Sequence, residues 1–219
     1  MGRAGILWFA SGNSHKKKEL ISILSPLIPG LVVYSPGDGG LEFSPDETGD
    51  SFLENALLKA RALWELLEEK RPPLYKSGDP IISDDSGLWV QALDGRPGIH
   101  SAYYNGPQGA PDPQKSDAQR NALVLSELGD NPQRGARFIC TMVLYYGPQR
   151  FFTAQEYLAG EIRPEAGGGG FGYDPIFYLP ELGRSVAELS AEEKNHLSHR
   201  GRSARALERL LSAHLEGSP

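Results

Sequence analysis

The sequence is poor in several features that would each have fixed a class. It has a single cysteine, Cys140, among 219 residues. No internal disulfide can form, and a reducing cytoplasm is the expected setting. No apolar run approaches the roughly 20 residues needed to cross a bilayer. The short run Ile6–Ala10 stops at Ser11-Gly12-Asn13, so it reads as a buried first strand and not as a signal-peptide core. Excess positive charge is also missing: 22 Lys and Arg face 28 Asp and Glu, a net charge of −6. That balance argues against a nucleic-acid polymer as partner. It leaves a small phosphate ligand open, because a few cations gathered locally can bind one. A Walker A loop is absent, as are a Gly-x-Ser-x-Gly elbow and any internal repeat.

What is present is a chain long enough to bury a real core, with 39% hydrophobic side chains. Residues 6–10 and 31–34 read as strands, with a helix over Lys16–Leu24 between them. Residues 35–50 read as a loop. The clearest helix begins at Ser51, where Ser51 and Glu54 have capping-box spacing. Phe52, Leu53, Ala56, Leu57, Ala60, Leu63, Trp64 and Leu67 then recur at helical spacing, up to Pro72-Pro73. Pro80–Asp84 reads as a buried strand ending in an acid pair, with Leu88–Val90 as a further extended segment. A helix over Ala118–Leu128 follows a Pro- and Gly-rich loop at 104–116. Arg137–Tyr146 and Arg150–Leu158 flank Gly147-Pro148 and predict a hairpin. Tyr173–Tyr178 reads as a strand, Ser190 to Glu193 as a second capping box, and Ser203–Leu215 as a helix. The fold class is α/β, a mixed sheet with flanking helices.

Polar motifs interrupt these elements. Asp84-Asp85-Ser86-Gly87 sets two carboxylates beside an apolar strand. Such a pair is costly unless a metal or cations neutralise it, and Mg²⁺ takes one or two carboxylates plus phosphate oxygens and water. An ordinary Asp-Ser-Gly turn is the plainer reading. Glu47, in Asp46–Asp50, is a candidate second carboxylate or part of a solvated acidic turn. Ser11, Gly12, Asn13, Ser14, His15 and Lys16 join the first strand to the first helix, where backbone N–H groups favour phosphate. Gly167–Gly172 formally contains Gly-x-Gly-x-x-Gly, but Pro175 and the aromatic run after it predict a strand where a dinucleotide fingerprint needs a helix. It reads better as a pliable loop that approaches a ligand closely, with Phe171 available to stack on a base. His196 and His199 lack a third ligand for zinc. Cys140 lies in an apolar run and reads as inert packing. Carboxylates for a cation, lysines for phosphates and a loop for a flat ring together point to hydrolysis of a nucleoside triphosphate.

The order of these motifs resembles one family. Ser-Gly-Asn-x-x-Lys, Glu-Thr-Gly, Phe-x-Glu-Asn-Ala, Asp-Asp-Ser-Gly-Leu, Pro-Gly-Ile, Gly-Gly-Phe-Gly-Tyr-Asp-Pro-Ile-Phe, Glu-Glu-Lys and Ser-His-Arg-Gly run from about Ile6 to Leu211. The chain is similar to the noncanonical purine nucleoside triphosphate pyrophosphatases, also called inosine triphosphate pyrophosphatases. The resemblance implies an elongated α/β fold over residues 1–219, one domain with two lobes around a central cleft, usually a homodimer. It implies Mg²⁺-dependent conversion of ITP, dITP and XTP to the monophosphate and pyrophosphate. Asp85 corresponds to the catalytic base and a metal ligand, and Glu47 to the metal-binding glutamate. Ser11 to Lys16 match the phosphate loop. Ser86, Phe171, Gly172, Tyr173, Asp174, Lys194, His199 and Arg200 match substrate contacts, and Lys59 is a further candidate for the phosphates. Arg200, or backbone N–H groups near His199, are expected to read the 6-oxo group of the base. Gly168, Tyr103 and the long 104–116 loop depart from the family pattern. A pyrophosphatase for modified pyrimidine or methylated nucleotides, and a nucleotide sensor without turnover, are the competing readings.

Overall fold

The computed structural model describes residues 5–107, 109–110, 112–164 and 169–217. Residues 1–4, the glycine-loop departure Gly168 with its neighbour Gly167, and two residues of the 104–116 loop lie outside the described residues. The strands are β1 (Ile6–Phe9), β2 (Val32–Tyr34), β3 (Ile81–Val90), β4 (Gly135–Tyr145), β5 (Phe151–Ile162), β6 (Phe177–Leu179) and β7 (Arg184–Ser185). The helices are α1 (Ser14–Leu24), α2 (Phe52–Lys70), α3 (Asp117–Leu128), α4 (Ala191–Leu197) and α5 (His199–Gly217). The strand order is β2-β1-β3-β4-β5-β6-β7. β1 pairs in parallel with β2 (Leu7 opposite Val33) and with β3 (Phe9 opposite Ile82). β5–β6 and β6–β7 are antiparallel, so the sheet is mixed.

The chain divides into two compact units. Unit 1 comprises Met1–Asp85, Cys140–Glu156 and Arg200–Pro219, and unit 2 comprises Ser86–Ile139 and Tyr157–His199. Unit 1 has a core on each face of its strands, as the period of two along a strand requires. Leu7, Phe9, Ile82 and Met142 pack against Leu20 and Leu24 of α1 and Ala204, Leu207 and Leu211 of α5. Trp8, Ala10, Ile81 and Val143 pack against Ala56, Ala60, Leu63 and Leu67 of α2. Unit 2 has one core, built from Leu88, Val124, Leu128, Phe138, Ile162, Ile176 and Phe177 among others.

Several elements differ from expectation for local physical reasons. Ser51 does cap α2, its hydroxyl accepting from the Glu54 N–H at 3.2 Å. The Glu54 carboxylate, however, reaches back to the Asp50 N–H at 2.7 Å, one residue earlier than a capping box requires. β3 runs unbroken through Asp84-Asp85-Ser86-Gly87, so the acid pair lies inside a strand and neither ends it nor turns. Tyr173–Tyr178 is only partly a strand. Asp174–Ile176 forms a 3-10 turn before β6, because Pro175 lacks a backbone donor. α5 begins four residues before the predicted start, at His199.

Cys140 is buried in the unit 1 core, and burial, reinforced by the Asp84 charge, pushes its thiol up to about 12. The thiolate is the reactive form. A thiol reagent at pH 8 should therefore leave the folded protein unmodified and label Cys140 stoichiometrically in denaturant, a difference a mass spectrum reads directly.

Candidate active site

In unit 1, β3 sends Asp84 and Asp85 to opposite faces. Asp85 lies on the α2 side. Lys59 of α2, itself buried, donates to Asp85 Oδ1 at 2.8 Å and to Glu47 Oε2 at 3.1 Å. A single ammonium group thus holds the two expected carboxylates together. Burial alone would push Lys59 down, but Asp85, Asp84 and Glu47 hold it above its usual value. Burial pushes the Asp85 carboxyl up to about 6 against the pull of Lys59 and Lys16, and the Glu47 charge adds to the rise. A base with that affinity is ionised at neutral pH and still accepts a proton readily. Asn55 of α2 ties the pieces together: its Oδ1 accepts from the Gly49 N–H at 2.8 Å and its Nδ2 points to Asp85 Oδ2 at 3.4 Å. A side chain at Gly49 has no room, since a Cβ there would meet Glu54 Cβ at 2.6 Å.

Asp84 faces α1 and α5. It is fully buried, which raises a carboxyl, but Lys16 and Arg200 outweigh that and hold it well below the usual carboxylate range. Lys16 Nζ donates to its Oδ1 at 3.1 Å; Arg200 Nε and Nη2 donate to its Oδ2 at 3.1 and 2.9 Å. Arg200 Nη1 donates to Glu19 Oε2 at 2.6 Å. All three guanidinium nitrogens of Arg200 are therefore engaged with carboxylates.

The loop before α1 is organised by Asn13. Its Oδ1 accepts from the His15 and Lys16 N–H groups at 2.9 and 3.1 Å, and its own N–H donates to Ser11 Oγ at 3.1 Å. Gly12, Asn13, Ser14 and His15 are exposed, and Lys16 bends inward to Asp84.

In unit 2, Asp174 organises the glycine loop. Its Oδ2 accepts from the Phe171 N–H at 2.9 Å and from Lys194 Nζ at 2.7 Å, and the same ammonium lies 4.3 Å over the Phe171 ring. Gly170 and Gly172 have φ of +77° and +64°, a conformation that favours glycine. Tyr173 donates its hydroxyl to the Ser101 carbonyl at 2.8 Å. His199 is buried and stacked on Phe138, with ring centroids 5.0 Å apart. Ser86 is half-buried on β3, and Tyr103 is exposed at the end of a 3-10 turn over Gly98–Tyr103.

Glu19, Asp117 and Asn121 were not singled out by sequence reasoning, and Asn55 stood in Phe-x-Glu-Asn-Ala without a role of its own. Asn55 carried a weak signal, a polar residue on the apolar side of an amphipathic helix. Glu19 looks like any charged residue on α1, and only the fold brings it to Arg200.

Among the described residues, no group of three or more His, Cys, Asp or Glu side chains is placed to hold a metal ion. The Glu47 and Asp85 pair nevertheless fits Mg²⁺. They already share one cation, and this ion takes most of its remaining ligands from phosphate and water. Among the described residues, no helix is long and apolar enough to cross a membrane.

The Ham1 family model matches residues 7–210. A dITP/XTP pyrophosphatase of Treponema denticola is 42% identical over 206 residues, covering 94% of this chain and 97% of that relative. One from Thermus thermophilus is 40% identical over 214 residues, 96% of this chain and 92% of its own. Among solved structures, the Staphylococcus aureus Ham1 protein is 37% identical with a TM-score of 0.74, covering 97% and 98% of the two chains. A HAM1 protein from Coxiella burnetii is 34% identical with a TM-score of 0.77, covering 95% and 99%. The match spans both units and all the motifs described above, and the chain belongs to the Ham1 family.

Proposed function

We propose that this chain is a nucleoside-triphosphate pyrophosphatase. It hydrolyses noncanonical purine nucleotides (dITP, XTP and ITP) to the monophosphate and pyrophosphate, with Mg²⁺ as cofactor. The observation that carries the reading is the meeting of Glu47 and Asp85 at one cation, Lys59. Two carboxylates from distant parts of the sequence meet at one positive charge, with Lys16 close by on Asp84. The substrate class is supported by the relatives named above as dITP/XTP pyrophosphatases. A homodimer in the cytoplasm completes the reading, on the family resemblance and the lone buried cysteine.

Glu47 and Asp85 are the residues that would hold Mg²⁺, and the bound ion would screen the phosphates and stabilise the charge of the departing pyrophosphate. Asp85 orients a water toward the α-phosphorus and takes its proton as the new P–O bond forms. The bond from the α-phosphorus to the bridging oxygen breaks, and pyrophosphate leaves with that electron pair. Lys59 holds the Asp85 carboxylate in place, and Lys16 adds positive charge for the phosphates. Most of the rate enhancement then comes from positioning and fixed charge. By resemblance, Ser11 to Lys16 contact the phosphates, while Ser86, Phe171 to Asp174, Lys194, His199 and Arg200 contact the rest of the substrate.

The direct test is product analysis by phosphorus NMR with ITP. IMP and pyrophosphate are expected in equal amounts, with turnover abolished by EDTA and restored by Mg²⁺; release of orthophosphate and IDP would contradict the reading. A second expectation concerns Gly49. Gly49→Ala must push the Glu47 loop away from α2. It should raise the Mg²⁺ concentration for half-maximal rate by about tenfold, the equivalent of roughly 1.4 kcal/mol. A metal titration of the variant measures this, and an unchanged midpoint contradicts it.

A further inference from the structure

α3 has no residue in the reading above, yet two of its side chains grip the glycine loop. Gly172 donates its N–H to Asp117 Oδ2 at 2.7 Å, and its carbonyl accepts from Asn121 Nδ2 at 3.2 Å. Asp117 and Asn121 are four apart, so they stand one above the other on a single helix face. The helix behind them is anchored by packing: Val124 and Leu128 are buried in the unit 2 core. Both peptide groups of a residue held at φ +64° are therefore fixed from outside the loop.

The chemistry of Asn121 shows which bond keeps it there. The side chain is 2% exposed, and its Oδ1 has no hydrogen-bond partner among the described residues. A buried, unsatisfied amide oxygen destabilises the fold, so packing alone would favour an apolar residue of the same size. Turning the amide over would set Oδ1 against the Gly172 carbonyl and lose the bond. The amide therefore serves the fold at this point through its Nδ2 bond to Gly172.

Gly172 sits between Phe171 and the Tyr173-Asp174 pair. Its conformation sets where the Phe171 ring points and where Asp174 meets Lys194 and the Phe171 N–H. We propose that Asp117 and Asn121 are positioning residues for recognition of the purine base, acting through the backbone of Gly172. This rests on the reading of Phe171–Asp174 as the loop that contacts the nucleoside.

The test compares Asn121→Leu, Asp117→Ala, Asp117→Asn and Phe171→Ala by steady-state kinetics with ITP and ATP and by thermal melting. Losing one positioning hydrogen bond should raise the KM for ITP about fivefold to tenfold, with kcat within about twofold of wild type. The ITP-over-ATP ratio of kcat/KM should shrink. Asn121→Leu should melt at or above the wild-type temperature, since it also removes the orphaned Oδ1. Asp117→Asn keeps an acceptor for the Gly172 N–H and should restore a near-wild-type KM. Unchanged KM and selectivity in folded Asn121→Leu and Asp117→Ala, beside a raised KM in Phe171→Ala, overturns the positioning role alone. A fall in melting temperature with no KM change assigns α3 a structural part only and also overturns it. An unchanged KM in Phe171→Ala removes the loop from base recognition and takes this inference with it.

Discussion

Asp85→Asn is expected to lower kcat for ITP by more than about 10²-fold, the scale of losing a general base, while leaving the fold intact. The amide keeps the shape of the carboxylate and can still accept from Lys59 through its oxygen. It cannot take a proton from water, and it brings no negative charge to the shared cation site. Among the described residues, Lys59 then keeps Glu47 as its ion-pair partner. A merely structural Asp85 gives a different pattern. Its raised affinity for protons means that burial disfavours the charged form, so neutralising it would stabilise the protein with little loss of turnover. Rate and melting temperature on one preparation separate the two outcomes. Near-wild-type turnover would remove Asp85 from the chemistry.

Arg200→Met is the second large effect, and it is expected in stability. Asp84 is a fully buried carboxylate held by Lys16 on one oxygen and Arg200 on the other. Removing one partner of a buried ion pair typically costs about 3–5 kcal/mol, and with Arg200 gone Lys16 compensates the Asp84 charge from one oxygen alone. Arg200 also holds Glu19, so α1 loses a tie to α5 in the same step. The double substitution Asp84→Leu with Arg200→Met removes both charges. It should be more stable than Arg200→Met alone, and a double-mutant cycle in urea measures the coupling. The sign of the pH dependence follows from Asp84. Its folded carboxyl binds protons less readily than the unfolded value of about 3.9. The ion pair therefore contributes fully above about pH 5, and its contribution is lost as the pH falls through the acid range below. In Arg200→Met that acid-side loss should be smaller. A urea midpoint within the error of wild type at pH 7 would show that Arg200 does not hold Asp84.

α2 was legible because Ser51, the apolar spacing and Pro72-Pro73 are local signals, and local signals survive folding. That Glu47 and Asp85 share a cation was expected from the acidic motifs and the resemblance, but Lys59 standing between them was not. Their meeting depends on α2 packing over β3, which no spacing rule gives. The alternation rule did carry real information: Asp84 and Asp85 part to opposite faces, as two neighbours on a strand must. The sequence predicts a strand that stops at Asp84, because Asp-Ser-Gly is turn chemistry in an exposed segment. Here pairing within the sheet overrides that preference. The expectation that Arg200 contacts the substrate came from resemblance, whereas its burial between Asp84 and Glu19 is visible only in the fold. Asn121 carried no signal at all, since a polar residue in a helix usually faces water.

The central claim is tested most directly by one measurement. It is the rate of pyrophosphate release from dITP, XTP, ITP, GTP and ATP at equal concentration with Mg²⁺. The account predicts rapid release from the first three and rates at least about 10²-fold lower from GTP and ATP, the discrimination a hydrogen-bonding site can supply. Equal rates across the panel, or orthophosphate as the product, would contradict it.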